Sequence, residues 1–179
     1  MIFYVDGACS GNGTDYATGG FGVVGLIDDV GAYYYSEGTS QTTNNKEELK
    51  AILHVMKKFG VPEKVFEELP EDYYPIVYSD SSYAVNTLND WMFSWADKGW
   101  KKSDNKTPEN LELIKEYYNL FQKGFRIDLR KVKGHSGNYW NELVDAMAKS
   151  AKEKQIVKEI NFINEGELNG EYNSDSNSK

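Results

Sequence analysis

A chain of 179 residues with 40% apolar side chains, four tryptophans and thirteen tyrosines has the mass for one ordinary domain with a real core, which excludes disorder along most of its length. One cysteine, Cys9, excludes a disulfide framework and a Cys-rich zinc site, and two histidines, His54 and His135, exclude a His-based metal cluster, so any metal must be held by oxygens, as Mg²⁺ or Mn²⁺ are. The net charge of −8 is concentrated in residues 63–72 (five acids, one lysine) and 160–179 (four acids, one lysine), while residues 123–133 carry five basic side chains against Asp128.

Residues 2–5 are β-branched or aromatic and predict a strand that ends at Asp6, with Gly7 and Gly11 closing it in a tight loop. With a strand starting this early, no leader peptide is expected. No apolar run approaches membrane-spanning length, and a cytoplasmic protein is expected. Residues 21–27 and 32–37 predict two further strands joined by the turn at residues 28–31, an antiparallel meander. Leu49, Ile52, Leu53, Met56 and Phe59 then follow helical spacing up to Gly60. The acidic stretch at residues 63–75 reads as a surface insertion.

Residues 76–79 form a short apolar strand that runs into Asp80, repeating the opening design, and a helix follows to about Asn89. Trp91, Trp95 and Trp100 share helix-compatible spacings, with Trp91 expected in the core. Lys98, Lys101, Lys102 and Lys106 surround the end of that stretch. Thr107 and Pro108 predict a helix start. Residues 125–132 alternate as one strand, and residues 139–154 form the last helix. The tail after Ile163 has the composition of a disordered segment. The expected division is a domain at 1–154 and an acidic, polar tail at 155–179. The order β-β-β-α-β-α-α-β-α predicts an α/β fold: a mixed five-stranded sheet, three strands antiparallel and two parallel, with the first and fourth side by side and helices on its faces.

That topology converges four carboxylates. Asp6 and Asp80 end neighbouring strands, Glu48 sits in the first turn of a packed helix, and Asp145 lies on the last helix, on a face opposite the exposed lysines. Singly, each has a structural explanation: a turn cap for Asp6, the helix macrodipole for Glu47 and Glu48, a solvated helix face for Asp145. Together they would repel one another and raise one another's pKa unless cations intervened. Two divalent ions about 4 Å apart suit in-line phosphoryl displacement.

The motifs Tyr-Val-Asp-Gly-Ala-Cys-Ser-Gly-Asn, Thr-Thr-Asn-Asn-Lys-Glu-Glu-Leu, Tyr-Ser-Asp-Ser-Ser-Tyr, Val-Lys-Gly-His-Ser-Gly and Asn-Glu-Leu-Val-Asp resemble, in order and approximate spacing, those of type 1 ribonuclease H. The resemblance runs from about residue 2 to about residue 152. It implies a ribonuclease H-like fold and endonucleolytic cleavage of the RNA strand of RNA–DNA hybrids with Mg²⁺ or Mn²⁺, leaving 5′-phosphate and 3′-hydroxyl ends. Asp6, Glu48, Asp80 and Asp145 would be the metal-binding catalytic set. Asp6 would bridge two ions, Asp145 would help hold the one that activates water, and Glu48 and Asp80 the other. Glu47 does not match the family glutamate. His135 would assist proton transfer or product release.

The resemblance also implies substrate contacts: Asn12, Asn44 and Asn45 along the hybrid's minor groove, where 2′-hydroxyls mark RNA, and Thr43 with Asn110 at a DNA phosphate. Trp95, Trp100, Lys98 and Lys101 would belong to a basic protrusion that supports the DNA strand. Gln41 stands where an arginine is usual, and Ala96-Asp97 where basic residues are common. Both departures predict weaker hybrid binding with a shallower salt dependence. No membrane or obligate protein partner is implied, and a monomer is expected. Two alternatives differ in class: a hybrid- or duplex-binding module weak in catalysis, disfavoured by the intact acid set, and an integrase- or transposase-like DNA nuclease, disfavoured by the His135 loop and Asn44-Asn45.

Overall fold

The opening strand is longer than its β-branched signature. In the computed structural model, which describes residues 1–66, 68–70, 75–134 and 137–162, β1 spans Ile2–Ser10. It pairs antiparallel with β2 (Thr18–Ile27), Asp6 opposite Gly22, and β2 pairs antiparallel with β3 (Val30–Ser40). Gly7 is therefore a strand residue rather than the closing turn that the sequence suggested. On its other side β1 pairs in parallel with β5 (Ile76–Ser79), and β5 in parallel with β7 (Asp128–Lys131). The first and fourth predicted strands are neighbours, as expected.

Among the described residues the sheet has six strands, in the order β7-β5-β1-β2-β3-β8, not five. The addition, β8 (Val157–Asn161), lies in the segment expected to be tail and pairs antiparallel with residues 33–37 of β3. Residues 163–179, where disorder was expected, lie outside the described residues. The single strand expected at residues 125–132 is split: β6 (Phe125–Arg126) pairs with β4 (Val61–Pro62) in a separate ribbon, and only β7 joins the main sheet. Of the expected insertion, α2 (Glu63–Phe66) follows β4 directly, and residues 67 and 71–74 lie outside the described residues.

Helix α1 (Asn44–Phe59) begins where Thr43 accepts a hydrogen bond from the Lys46 amide, and it buries all five apolar residues that its periodicity marks. α3 (Ser82–Asn86), a π-helical turn (Thr87–Trp91) and α4 (Met92–Asp97) run end to end. α5 (Leu111–Gln122) starts after Asn110, which is left-handed at φ 57°, and not at Thr107-Pro108; Pro108 is instead buried in the approach and Thr107 accepts a bond from Lys101. α6 (Tyr139–Lys154) has the predicted bounds and is capped by Asn138.

Strand alternation sends Phe3 and Val5 to one face, where they meet α1, α4 and α5 in the main core, and Ile2 and Tyr4 to the other, against α6. A Cβ on Gly20 would meet the Lys152 amide nitrogen at 2.5 Å and one on Gly22 the Val144 carbonyl at 2.9 Å, so these glycines let α6 lie almost on the backbone of β2.

Candidate active site

The end of the parallel pairing creates the site. β5 stops at Ser79, opposite Val5, while β1 continues, so Asp6 and Asp80 emerge side by side where the sheet opens. Alternation turns Asp6 toward the α6 face. Gly7, next in the chain, faces the first turn of α1, and its missing side chain lets the Glu48 amide approach. One ligand atom each of Asp6, Glu48 and Asp80 lies within 4.8 Å of the others.

This closeness is electrostatically costly. Asp6 is 5% exposed and Glu48 3%. Burial, with the nearby charges of Asp80 and Asp145, pushes the Asp6 carboxyl up from 3.8 to about 7, opposed by hydrogen bonds from Glu48 and from the Gly7 amide (2.9 Å). Burial first, and then Asp6, holds Glu48 well above the usual carboxylate range. Glu48 Oε2 is buried without a hydrogen-bond partner among the described residues, a defect that costs free energy unless something else binds it. Hard divalent cations take carboxylate oxygens, and these three residues fit such an ion.

Asp145 stands apart from the three, although its charge reaches Asp6. Its Oδ2 accepts a bond from Lys149 Nζ at 2.7 Å. The expectation that Asp145 faces away from the exposed lysines is thereby corrected: a four-residue separation puts Lys149 on the same helix face, a signal present in the sequence. Gly134 approaches the centre from the loop after β7, where a Cβ would meet Asp80 Oδ2 at 2.8 Å. His135, next in that loop, lies outside the described residues.

The expected substrate residues fall into two groups. Asn12 accepts a hydrogen bond from the Asn44 amide at 2.7 Å, joining the β1–β2 turn to the start of α1 beside Thr43 and Asn45. Asn110 donates to the Tyr83 hydroxyl at 3.0 Å, a partner the sequence reading missed. Gln41 is exposed and left-handed at φ 51°. Lys98 and Lys101 are exposed, while Trp95 and Trp100 pack partly against the main core. Trp91, expected to be core, is 41% exposed, its ring 6.1 Å from that of Trp95. The π turn supplies the reason: its wider turn shifts the helical phase on which the expectation rested.

Fold and site together define an α/β protein with a knot of mutually repelling carboxylates, its candidate site, at the mouth of a parallel strand pair. The RNase H family model matches residues 1–153. Ribonuclease H of Mannheimia succiniciproducens is 35% identical over 159 residues, covering 89% of this chain and 91% of that protein. The Caldanaerobacter subterraneus ribonuclease H is 37% identical over 158 residues, covering 86% and 91%. The chain belongs to the RNase H family, ribonucleases that act on the RNA of RNA–DNA hybrids and generally depend on divalent metal.

Solved structures share the fold. LC9-RNase H1, described as a type 1 RNase H with the type 2 active-site motif, aligns with a TM-score of 0.69 at 23% identity, covering 96% of this chain and 81% of that one. The foamy viral protease-reverse transcriptase solved with an RNA/DNA hybrid also gives 0.69, at 15% identity, covering 86% of this chain and 20% of the larger one. Among the described residues, no helix is long and apolar enough to cross a membrane.

Proposed function

We propose that this enzyme cleaves the RNA strand of RNA–DNA hybrids endonucleolytically, using two Mg²⁺ or Mn²⁺ ions and leaving 5′-phosphate and 3′-hydroxyl ends. The observation that carries the reading is the group Asp6, Glu48 and Asp80 within 4.8 Å, with a buried Glu48 oxygen unpartnered among the described residues. Asp6 would bridge the two ions, with Glu48 and Asp80 completing one site and Asp145 the other. Bound ions supply charge stabilisation at the phosphorus oxygens and an activated water.

The chain's own groups do the rest. Asn12, Asn44 and Asn45 offer side-chain amides that both donate and accept, the chemistry a ribose 2′-hydroxyl requires. Thr43 and Asn110 suit a phosphate of the DNA strand, and Lys98 and Lys101 with Trp95 and Trp100 its further course. His135 would serve proton transfer or product release. Residues 1–154 form the catalytic domain on this reading, and a cytoplasmic monomer suffices for it.

The test is cleavage of end-labelled RNA–DNA hybrid, RNA duplex and DNA duplex in Mg²⁺, Mn²⁺ or EDTA. Metal-dependent cutting confined to the hybrid's RNA supports the reading, and end analysis then checks the 5′-phosphate. Hybrid binding without cutting, in both metals, would replace it with a binding module.

A further inference from the structure

Glu47, the glutamate that fails to match the family position, is completely buried at 0% exposure, one residue from the catalytic Glu48. A solvated first-turn acid would need no such burial, since the helix macrodipole is satisfied at the surface. Its side chain joins three segments. Oε1 accepts a hydrogen bond from Thr42 Oγ1 at 2.7 Å, in the turn between β3 and α1. The same oxygen lies 3.2 Å from Lys50 Nζ, one helical turn on. Lys50 in turn donates to Thr39 Oγ1 and stands 3.6 Å from Glu37, both on β3. Gly19 on β2 leaves the space: a Cβ there would collide with the Thr42 methyl and stand 2.9 Å from Glu47 Cγ.

The turn held in this way is strained and polar. Gln41 has φ 51°, which a non-glycine residue adopts at a cost. Gly13 N–H and Cys9 Sγ both reach the Thr42 carbonyl, at 3.4 and 3.6 Å. The next residues, Thr43, Asn44 and Asn45, are those assigned above to the hybrid. A buried acid that loses a partner is expensive, so the turn cannot relax without breaking the whole cluster.

We propose that Glu47 is a positioning residue: through Thr42 and Lys50 it fixes the 41–45 turn in the conformation that presents Thr43, Asn44 and Asn45 to the hybrid. The inference rests on the hybrid-cleavage reading for its functional part. The Glu48 carboxyl has its own hydrogen bond with Asp6, outside the Thr42–Glu47–Lys50 cluster, so loosening the turn weakens substrate capture more than the chemical step.

The experiment compares wild type with Thr42→Val, Thr42→Ser, Glu47→Gln and the Thr42→Val/Glu47→Gln pair, reading hybrid-cleavage kinetics in Mg²⁺ and amide hydrogen exchange at residues 41–46. Thr42→Val keeps the side-chain shape and carries the test if Glu47→Gln folds poorly. Expected are a KM raised about fivefold to tenfold in Thr42→Val and in Glu47→Gln with kcat within about twofold, roughly one hydrogen bond's worth. Thr42→Ser restores KM, the pair is no worse than the worse single change, and exchange at Asn44 quickens in each variant that raises KM. Unchanged KM with unchanged exchange in Thr42→Val overturns the proposal, as does a fall in kcat and melting temperature with KM constant. If wild type cuts no hybrid, the exchange arm still decides whether the cluster holds the turn, and only the cleavage reading fails.

Discussion

Gly7 and Glu48 are packed backbone to backbone: a Cβ built on Gly7 would stand 2.6 Å from the Glu48 amide nitrogen and 2.8 Å from the Glu47 carbonyl carbon. Neither neighbour is a flexible side-chain tip, so the strand and helix must part to admit a methyl group. Gly7→Ala is expected to cost about 1–3 kcal/mol through overpacking. The same displacement moves Glu48 away from Asp6; under the proposed mechanism both are catalytic, and ångström-scale misplacement of such groups costs on the order of a hundredfold in rate. Chemical denaturation and steady-state cleavage check both effects. A variant with wild-type stability and wild-type kcat would mean that this contact does not set the carboxylate geometry.

Asp6 carries a second prediction, this one in pH. Its carboxyl rises from 3.8 to about 7 on folding, chiefly by burial and then by the charges of Asp80 and Asp145. Between those values the folded, metal-free protein binds more protons than the unfolded chain, so this group makes stability fall as pH rises through the window. Asp6→Asn removes the penalty. In EDTA at pH 8 the variant should melt higher than wild type by at least about 2–4 °C, with the difference vanishing below about pH 4. Added Mg²⁺ should raise the melting temperature of wild type and not of the variant, which should also be inactive. Equal melting of the two proteins at pH 8 would show that the carboxylates are not in conflict.

Much of this centre was legible because its parts are local. Asp6 and Asp80 each follow an apolar run, Glu48 precedes the periodic residues of α1, and the bounds of α6 coincide with its periodicity. What escaped depends on distant partners or on changes of period. β1 continues to Ser10 because β2 pairs along it and α1 needs Gly7 in a strand, neither of which the small, strand-poor residues 6–10 announce. The π turn reversed the expectation for Trp91. β8 has all five residues exposed, and two of them, Lys158 and Glu159, are charged, so its composition resembles that of a tail.

Beside its backbone ladder with β3, β8 is tied down by the Glu159 side chain. Its Oε1 accepts bonds from the Tyr33 hydroxyl at 3.0 Å and from Lys58 Nζ at 2.7 Å, tying residues more than a hundred positions apart. The Lys58 bond lowers the Glu159 pKa, as an ammonium partner should. Glu159→Ala is expected to cost about 1 kcal/mol and to speed amide exchange selectively across residues 157–161. Cleavage should be unaffected, since the strand lies at the sheet edge far in sequence pairing from β5 and β7. Unchanged exchange in the strand would assign its stability to the backbone ladder with β3 alone.

His54 supplies a pH dependence of the opposite sign. It lies within the core side of α1, stacked on Tyr35 with ring centroids 3.9 Å apart and its Nε2 2.7 Å from the Tyr33 hydroxyl. Burial first, and then Lys58, lowers its pKa from 6.5 to about 4; Lys57 adds to the fall, while Glu159 and Glu37 oppose it. Here the unfolded chain binds more protons than the folded one between pH 6.5 and 4, so the contribution is fully present above 6.5 and is lost as pH falls toward 4. Its size is at most about 3 kcal/mol. In the same interval Asp6 pulls the other way, so the wild-type stability curve should be flatter than either group alone would make it. Separate variants resolve the two. His54→Gln keeps a hydrogen-bonding atom for Tyr33 without a titrating ring, and should gain stability relative to wild type as pH falls from 6.5 to 4. The difference between the wild-type and His54→Gln curves, in which the raised carboxylates Asp6, Glu47 and Glu48 cancel, should isolate the His54 contribution as a monotonic loss of stability on acidification. A parallel pair of curves with and without His54→Gln would show that the imidazole titrates alike in the folded and unfolded chain, and that its burial does not oppose its charging.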